Sequence, residues 1–442
     1  MSATGLSARK TCSTPTSSLS DQSEAMTFSV KQSRLSALFS WRPALLRCLV
    51  LCLALGCLVP AGAQAAARNM KKATKTRPVS LETMAGQMIL AGFRGTGARP
   101  QGQADRALAK EYAALLKDIR QGRLGGVILF DWDAELRVYG RNIVSVEQVA
   151  ALSATLQKAA KIPLFIAIDQ EGGRVARLLP EHGMPLMPSA KTMALLPEDE
   201  VERLAEKNAK ALARAGINLN FAPSLDVDVN PQSPAIGAVG RSFSADEHKV
   251  ARYGAVFARG QWQAGVVSAF KHFPGHGSAR SDTHLGIADI TDTWEERELF
   301  PFTALREAPV PSMVMVAHVM NRRLDRHNPA TLSHPIVTGL LRTEIGWQGV
   351  VVTDDLQMGA ITTATSSLRE TVRRAVLAGS DILLFGNNME HDPELVRKVH
   401  GMLVELVRGG EIPEERIAGS YERIMRLKAT MASSIKVRQP RP

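Results

Sequence analysis

Cysteine is nearly missing from this chain. Its 442 residues include four, at Cys12, Cys48, Cys52 and Cys57, and no two form a Cys-x-x-Cys pair. A disulfide scaffold is thereby excluded. Aromatic residues make up only 5%. The longest nearly uninterrupted apolar run, Cys48–Val59, falls short of the roughly 20 residues that span a bilayer. The net charge is +11, but Lys and Arg are scattered, and zinc-finger spacing and aromatic-rich basic strands are lacking. Nucleic acid is therefore not an expected partner. What remains is an ordinary globular composition, 45% hydrophobic and 22% charged, which excludes general disorder and collagen-like repeats.

The first 65 residues read as an export leader. Residues 1–40 are rich in Ser, Thr and Ala; Arg42 and Arg47 then precede the apolar run, and the small residues of Pro60–Ala65 follow. A positive flank, a short apolar core and a small-x-small site together form a secretion signal. An uncleaved anchor, lipidation at Cys57 and a start at Met26 are the alternatives. All four cysteines precede the expected cut, so the exported protein would contain no thiol. Export, to the periplasm or beyond, is the expectation, with membrane contact through the leader only. Residues 66–79 read as a basic linker, 80–432 as one catalytic domain and 433–442 as a basic tail.

Within that domain, short apolar runs alternate with longer helix-patterned segments. The runs are Gln87–Phe93, Gly125–Phe130, Pro163–Ile168, Ile217–Phe221, Val266–Phe270, Ser312–Ala317, Gly349–Thr353 and Asp381–Phe385. Continuous apolar runs of this length suit strands buried on both faces of a parallel sheet. Helices are expected over Ala104–Gln121, Val146–Lys161, Glu198–Ala215, Ala245–Ala264, Trp294–Ala308, Leu368–Ala378 and Glu394–Arg408, with Gly122, Gly216, Gly265 and Gly379 at helix exits. Eight such units predict an α/β fold, a (β/α)₈ TIM barrel. A doubly wound open sheet is the alternative, but no Gly-x-Gly-x-x-Gly turn follows the first strand.

A barrel of this kind places its active site at the C-terminal strand ends, and polar residues gather there. They include Asp169 and Glu171 after strand three, Asp226 and Asp228 after strand four, and Lys271, His272, His276, Asp282 and His284 after strand five. His318, Asp354-Asp355 and Asn387-Asn388 follow strands six to eight. A strand-end carboxylate such as Asp354 or Asp355 suits a nucleophile, and alternation of strand residues allows only one of the pair to face the barrel mouth. Gly275 and Gly277 predict a flexible, open loop. Histidines 272, 276 and 284 with Asp282 allow a metal site, although the short ligand spacings of zinc enzymes are missing. The other reading pairs Asp282 with His284, the carboxylate fixing the imidazole tautomer so that the second nitrogen moves a proton. The cations Arg174, Arg177, Arg241 and Lys271 would face the same mouth, suiting polyhydroxylated or acidic substrates. A Ser-His-Asp hydrolase is disfavoured, since no Gly-x-Ser-x-Gly turn is evident.

Three stretches together carry a resemblance: Asp169–Val175; Lys271–Gly277 followed by Asp282-Thr283-His284; and Thr353-Asp354-Asp355-Leu356 with Met358. They resemble the glycoside hydrolase family 3 β-N-acetylhexosaminidases that act on peptidoglycan fragments. The resemblance spans about residues 80–390 and implies a retaining, cofactor-free, metal-free exo-β-N-acetylglucosaminidase. It implies that Asp354 is the nucleophile and that His284, held by Asp282, is the general acid/base. It implies that Asp169, Arg177, Arg241, Lys271 and His272 bind the terminal N-acetylglucosamine, with His318 and Asn387 as further wall residues. Thr353 and Thr283 stand where the family usually has Ser. A phosphate-using relative, a β-glucosidase and a non-catalytic sugar-binding protein are the competing readings. The β-glucosidases of the broader family take their acid from a second domain, for which the chain after the barrel is too short.

Overall fold

The computed structural model describes residues 79–97, 103–283, 286–308 and 310–438, without the side chains of 103–105 and 434–438. The leader and most of the basic linker lie outside the described residues, as does His284.

Eight parallel strands form the centre: β1 Ile89–Gly92, β2 Gly126–Ile128, β3 Phe165–Ile168, β4 Leu219–Asn220, β5 Val267–Phe273, β6 Ser312–Val316, β7 Val350–Thr353 and β8 Leu383–Phe385. Each falls within or overlaps one of the eight apolar runs. Neighbours in space are neighbours in sequence from β1 to β7, and β8 returns to pair with β1 through Ile89 opposite Leu383. A parallel bridge between Val352 and Ile382 joins β7 to β8. An open sheet would leave two edges; here the ends meet, so the doubly wound alternative is excluded and the sheet is a barrel.

Helices clothe it: α1 Leu81–Gln87, α2 Gln103–Arg120, α3 Val146–Ala159, α4 Glu198–Arg214, α5 Glu247–Gln263, α6 Phe300–Leu305, α7 Pro335–Glu344, α8 Leu368–Ala378, α9 Leu395–Arg408 and α10 Glu414–Arg438. Local chemistry starts several of them. Ser145, Asp246 and Ser367 accept the backbone N–H of Gln148, His248 and Glu370 at 3.2, 2.9 and 3.2 Å, as N-cap residues do. Gly122, Gly216, Gly265 and Gly379 all have positive φ at helix exits. The expected helix Trp294–Ala308 is shorter, a 3₁₀ turn at Glu296–Leu299 running into α6. Helices α1, α7 and α10 were not foreseen; α7 closes with a five-residue hydrogen-bond spacing, Ile345 N–H to Leu340 O at 2.9 Å.

The N-terminal ends of the strands are tied to α10. Asp381, fully buried, accepts Arg342 at 2.6 Å, Arg423 at 2.9 Å and Ser420 at 2.8 Å. Lys428 donates to Gln87 Oε1 at 2.7 Å and to Gly125 O at 2.9 Å, with the Phe165 ring 4.6 Å from its Nζ. Buried ion pairs and hydrogen bonds therefore fasten this end of the barrel.

Candidate active site

A cavity of about 290 Å³ opens at the C-terminal strand ends. Five of the predicted sugar-binding residues, Asp169, Arg177, Arg241, Lys271 and His272, border it together with Asp354. Strand β5 carries Lys271 and His272 near its C-terminal end, and both border the cavity.

These side chains form one connected network. Lys271, 2% exposed, donates to Asp169 at 2.8 Å and pairs with Glu171 at 2.7 Å. Arg241 grips Glu171 with two parallel bonds of 2.9 and 2.7 Å, the fork geometry that guanidinium and carboxylate share. Its Nη2 also lies 3.2 Å from His272 Nε2. On the far side of the imidazole, Nδ1 is 2.6 Å from Asp226 Oδ2. Arg177 approaches Asp169 at 3.7 Å and lies over the Phe130 ring at 5.8 Å. Burial pushes the Glu171 carboxyl up, but Arg241 and Lys271 overcome it and hold the group at about 2. Asp169 is likewise held below its ordinary value against burial by Lys271 and Arg177. Asp226 is held low in the same way, by His272. The site is thus a lattice of fixed charges, each buried carboxylate matched to a cation or imidazole. Such a lattice presents polar groups to a substrate without reorganising.

Asp354 and Asp355 both border the cavity. Strand β7 ends at Thr353, so both residues lie just past the strand. Their settings differ. Asp355 Oδ1 accepts the backbone N–H of Gly386 at 2.8 Å and of Gln357 at 3.1 Å. Asp354 Oδ1 accepts the N–H of Asp355 at 2.8 Å. Its backbone N–H is bonded to Val316 O at 3.0 Å, which holds it to the end of β6.

The segment 271–279 is buried throughout, which corrects the expectation of an open, flexible loop. Its glycines are there for close packing. A Cβ on Gly277 would fall 1.7 Å from Val227 O, and one on Gly275 would fall 2.7 Å from Glu298 Cβ. His276 Nε2 lies 3.2 Å from Thr283 Oγ1. Burial, with His272 nearby, pushes His276 down to about 4, which leaves it neutral at ordinary pH, and it too borders the cavity. Among the described residues, no group of three His, Cys, Asp or Glu is disposed to hold a metal ion. Thr283, between Asp282 and His284 in the chain, borders the cavity, and its carbonyl accepts Ala360 N–H at 3.3 Å. That bond joins this loop to the segment just after Asp354.

Asp282, His318, Asn387 and Arg174 are not among the residues that border the cavity. His318 is fully buried beneath it, with Nε2 2.8 Å from Asp355 O and Nδ1 2.7 Å from Thr331 Oγ1. Asn387 is bonded to Gly92 O, Asp392 O and Asp392 N–H at 3.3, 3.1 and 2.8 Å, which occupies its amide with the backbone. Arg174 is exposed. Cavity residues that were not foreseen include Asp131, Trp132 and Met389. The signal for the first two was present, since Asp131-Trp132-Asp133 directly follows the second apolar run.

Comparison with known proteins agrees with this geometry. Residues 80–427 match the glycosyl hydrolase family 3 N terminal domain. The beta-hexosaminidase A of Pseudoalteromonas piscicida is 33% identical over 384 residues, covering 81% of this chain and 62% of that one. The beta-hexosaminidase of Tolumonas auensis is 37% identical over 276 residues, covering 61% and 78%. A solved family 3 beta-N-acetylglucosaminidase from Paenibacillus sp. superposes with a TM-score of 0.70 at 36% identity, covering 80% of this chain and 63% of that one. The beta-N-acetylhexosaminidase of Beutenbergia cavernae gives 0.68 at 27% identity, covering 79% and 99%. The chain therefore spans under two thirds of the Pseudoalteromonas and Paenibacillus proteins. With a matched domain of 80–427 that contains the whole barrel and every described cavity residue, the chain belongs to glycosyl hydrolase family 3.

Proposed function

We propose that this protein is a retaining exo-β-N-acetylglucosaminidase that releases terminal N-acetylglucosamine from peptidoglycan fragments. One observation carries the reading. Asp354 borders the same cavity as the charged network of Asp169, Arg177, Arg241, Lys271 and His272, and the loop bearing Asp282 and His284 is tied to the Asp354 turn through Thr283.

The chemistry follows from these groups. Asp354 attacks the anomeric carbon and displaces the leaving oxygen, forming a covalent glycosyl-aspartate. His284, oriented by Asp282, protonates that oxygen and then removes a proton from the water that releases the sugar. Retaining glycosidases hold the two groups about 5–5.5 Å apart. An imidazole with an ordinary pKa of about 6.5 gives and takes a proton near neutrality without the shift a carboxylic acid needs. Asp169, Arg177, Arg241, Lys271 and His272 bind the hydroxyl and acetamido groups of the sugar, and Arg241 also holds Glu171 and His272 in register. The name of the Paenibacillus neighbour supports the N-acetylglucosamine assignment, and that of the Beutenbergia neighbour supports an N-acetylhexosamine.

The test is release of p-nitrophenol from p-nitrophenyl N-acetylglucosaminide, with and without phosphate. Phosphate-independent release of free sugar is expected; strict dependence on phosphate identifies a phosphorylase, and no release at all defeats the proposal. We also propose export to the periplasm, supported by the leader-like composition of residues 1–65. N-terminal sequencing of fractionated cells decides it, and an intact Met1 in the cytosol overturns it.

A further inference from the structure

The cavity has two chemically different sides. The charged network comes from β3 to β5 and the connections after them. Around the sector β8–β1–β2 the lining is instead Phe130, Asp131, Trp132, Ala134, Asn388 and Met389. Two of these lie on a small hairpin that follows β2, in which Trp132–Asp133 pairs antiparallel with Val138–Tyr139.

Trp132 and Tyr139 are directly opposite in this hairpin and so share a face. Their rings meet edge to face, with centroids 4.8 Å apart and planes at 66°. Neither ring closes a core: Trp132 is only partly buried and Tyr139 is 75% exposed. Leu136 in the same hairpin is 57% exposed, and Met389 on the β8 connection, which borders the cavity, is 45% exposed.

The hairpin is nevertheless fixed. The Asp133 carboxylate accepts Arg94 at 2.7 and 3.0 Å and the N–H of Leu136 at 2.9 Å, and also pairs with the buried Arg141. Asn388 clasps the hairpin from the neighbouring sector. Its Oδ1 accepts Ala134 N–H at 2.9 Å, its Nδ2 donates to Trp132 O at 3.1 Å, and its carbonyl accepts Glu135 N–H at 3.2 Å. With the backbone of the hairpin fixed in this way, part of the ordering cost of presenting the Trp132 indole at the cavity wall is met before any ligand arrives.

We propose that this hairpin is the platform for the pyranose ring on the leaving-group side of the scissile bond, with Trp132 as its stacking face. The inference rests on the glycosidase reading above. The terminal sugar has its hydroxyl and acetamido groups to satisfy, and the charged network supplies the partners. The next ring offers an apolar C–H face toward the mouth, and the electron-rich face of an indole is its complement. The shared chemistry is a pyranose leaving group, whether a second N-acetylglucosamine or a muramic acid.

The experiment uses the full chain, Trp132→Ala and Trp132→Phe. Three substrates are compared: N-acetylglucosaminyl fluoride, whose leaving group is one atom, N,N′-diacetylchitobiose, and N-acetylglucosaminyl-β-1,4-anhydro-N-acetylmuramic acid. The readout is the ratio of disaccharide to fluoride kcat/KM, which does not depend on the fraction of folded enzyme. Trp132→Ala is expected to lower that ratio about five- to tenfold for at least one disaccharide, with Trp132→Phe restoring most of it. The disaccharide that loses more identifies the ring. An unchanged ratio for both disaccharides overturns the platform. A wild-type protein inert toward all three substrates overturns the glycosidase reading, and the platform with it.

Discussion

Asp226 holds His272 at two points: Oδ2 lies 2.6 Å from the imidazole Nδ1, and Oδ1 accepts the backbone N–H of the same histidine at 3.2 Å. Oδ1 also accepts the N–H of His276 at 2.9 Å, so one buried carboxylate shapes the whole turn at the end of β5. Arg241 approaches the opposite nitrogen as a donor, which assigns Nε2 the acceptor role and leaves Nδ1–H to donate to Asp226.

Asp226→Asn removes the charge from that clasp while keeping its shape. An amide has only one acceptor oxygen, so either the Nδ1–H of His272 or the backbone N–H groups of His272 and His276 lose their acceptor, at a cost of about 1–3 kcal/mol of folding stability. Because His272 would no longer be held against the sugar, KM is expected to rise more than tenfold, with a smaller change in kcat. Urea unfolding and steady-state kinetics check both. An unchanged KM would mean that Asp226 serves folding alone.

Asp354→Asn keeps the volume of the proposed nucleophile and removes its charge. Turnover is expected to fall by a factor on the order of 10³ or more, with the thermal unfolding midpoint little changed. Substantial residual turnover in a folded variant would rule out Asp354 as the attacking group.

His284→Ala tests proton donation by its dependence on the leaving group. An aryl leaving group of low pKa needs little protonation, whereas a sugar oxygen needs a full proton. The loss is expected to be about 10²–10⁴-fold on disaccharides and clearly smaller on p-nitrophenyl substrates. Equal losses on the two would contradict an acid role.

Glu298 sits under the Lys271–Gly277 turn, and burial pushes its carboxyl up from 4.5 to about 7. In the unfolded chain the group ionises near 4.5; in the folded chain it keeps its proton to about 7. Its contribution to stability is therefore fully present below pH 4.5 and is lost as pH rises through 7. Glu298→Gln, permanently neutral, is expected to flatten the dependence between pH 5 and 8 and to be the more stable protein at pH 8. Thermal melts at both pH values measure this; parallel curves for the two proteins would refute it.

The barrel was legible because its signal is local and repeated. Eight apolar runs, each long enough for a strand buried on both faces, marked all eight strands, and Gly122, Gly216, Gly265 and Gly379 marked helix exits with the positive φ that they adopt. Helix α7 was missed because its hydrogen-bond spacing departs from the period that the eye follows, and α10 because its partners, Asp381 and Gln87, are distant in the chain. The strand-end rule singled out Asp169, Lys271, His272 and Asp354, all of which border the cavity. Applied to β2 it would also have found Asp131 and Trp132.

What the sequence by itself determined is therefore the fold class, the end of the barrel where the cavity opens and most of the charged residues gathered there, since these follow from periodicity along the chain. Which oxygen holds which nitrogen was decided only in three dimensions. Asp226 on His272, Arg241 on Glu171 and Asn388 on the Trp132 hairpin join residues 46, 70 and more than 250 positions apart. The physical reason is that barrel closure sets these distances, and burial then makes each unpaired charge too costly to leave without its partner.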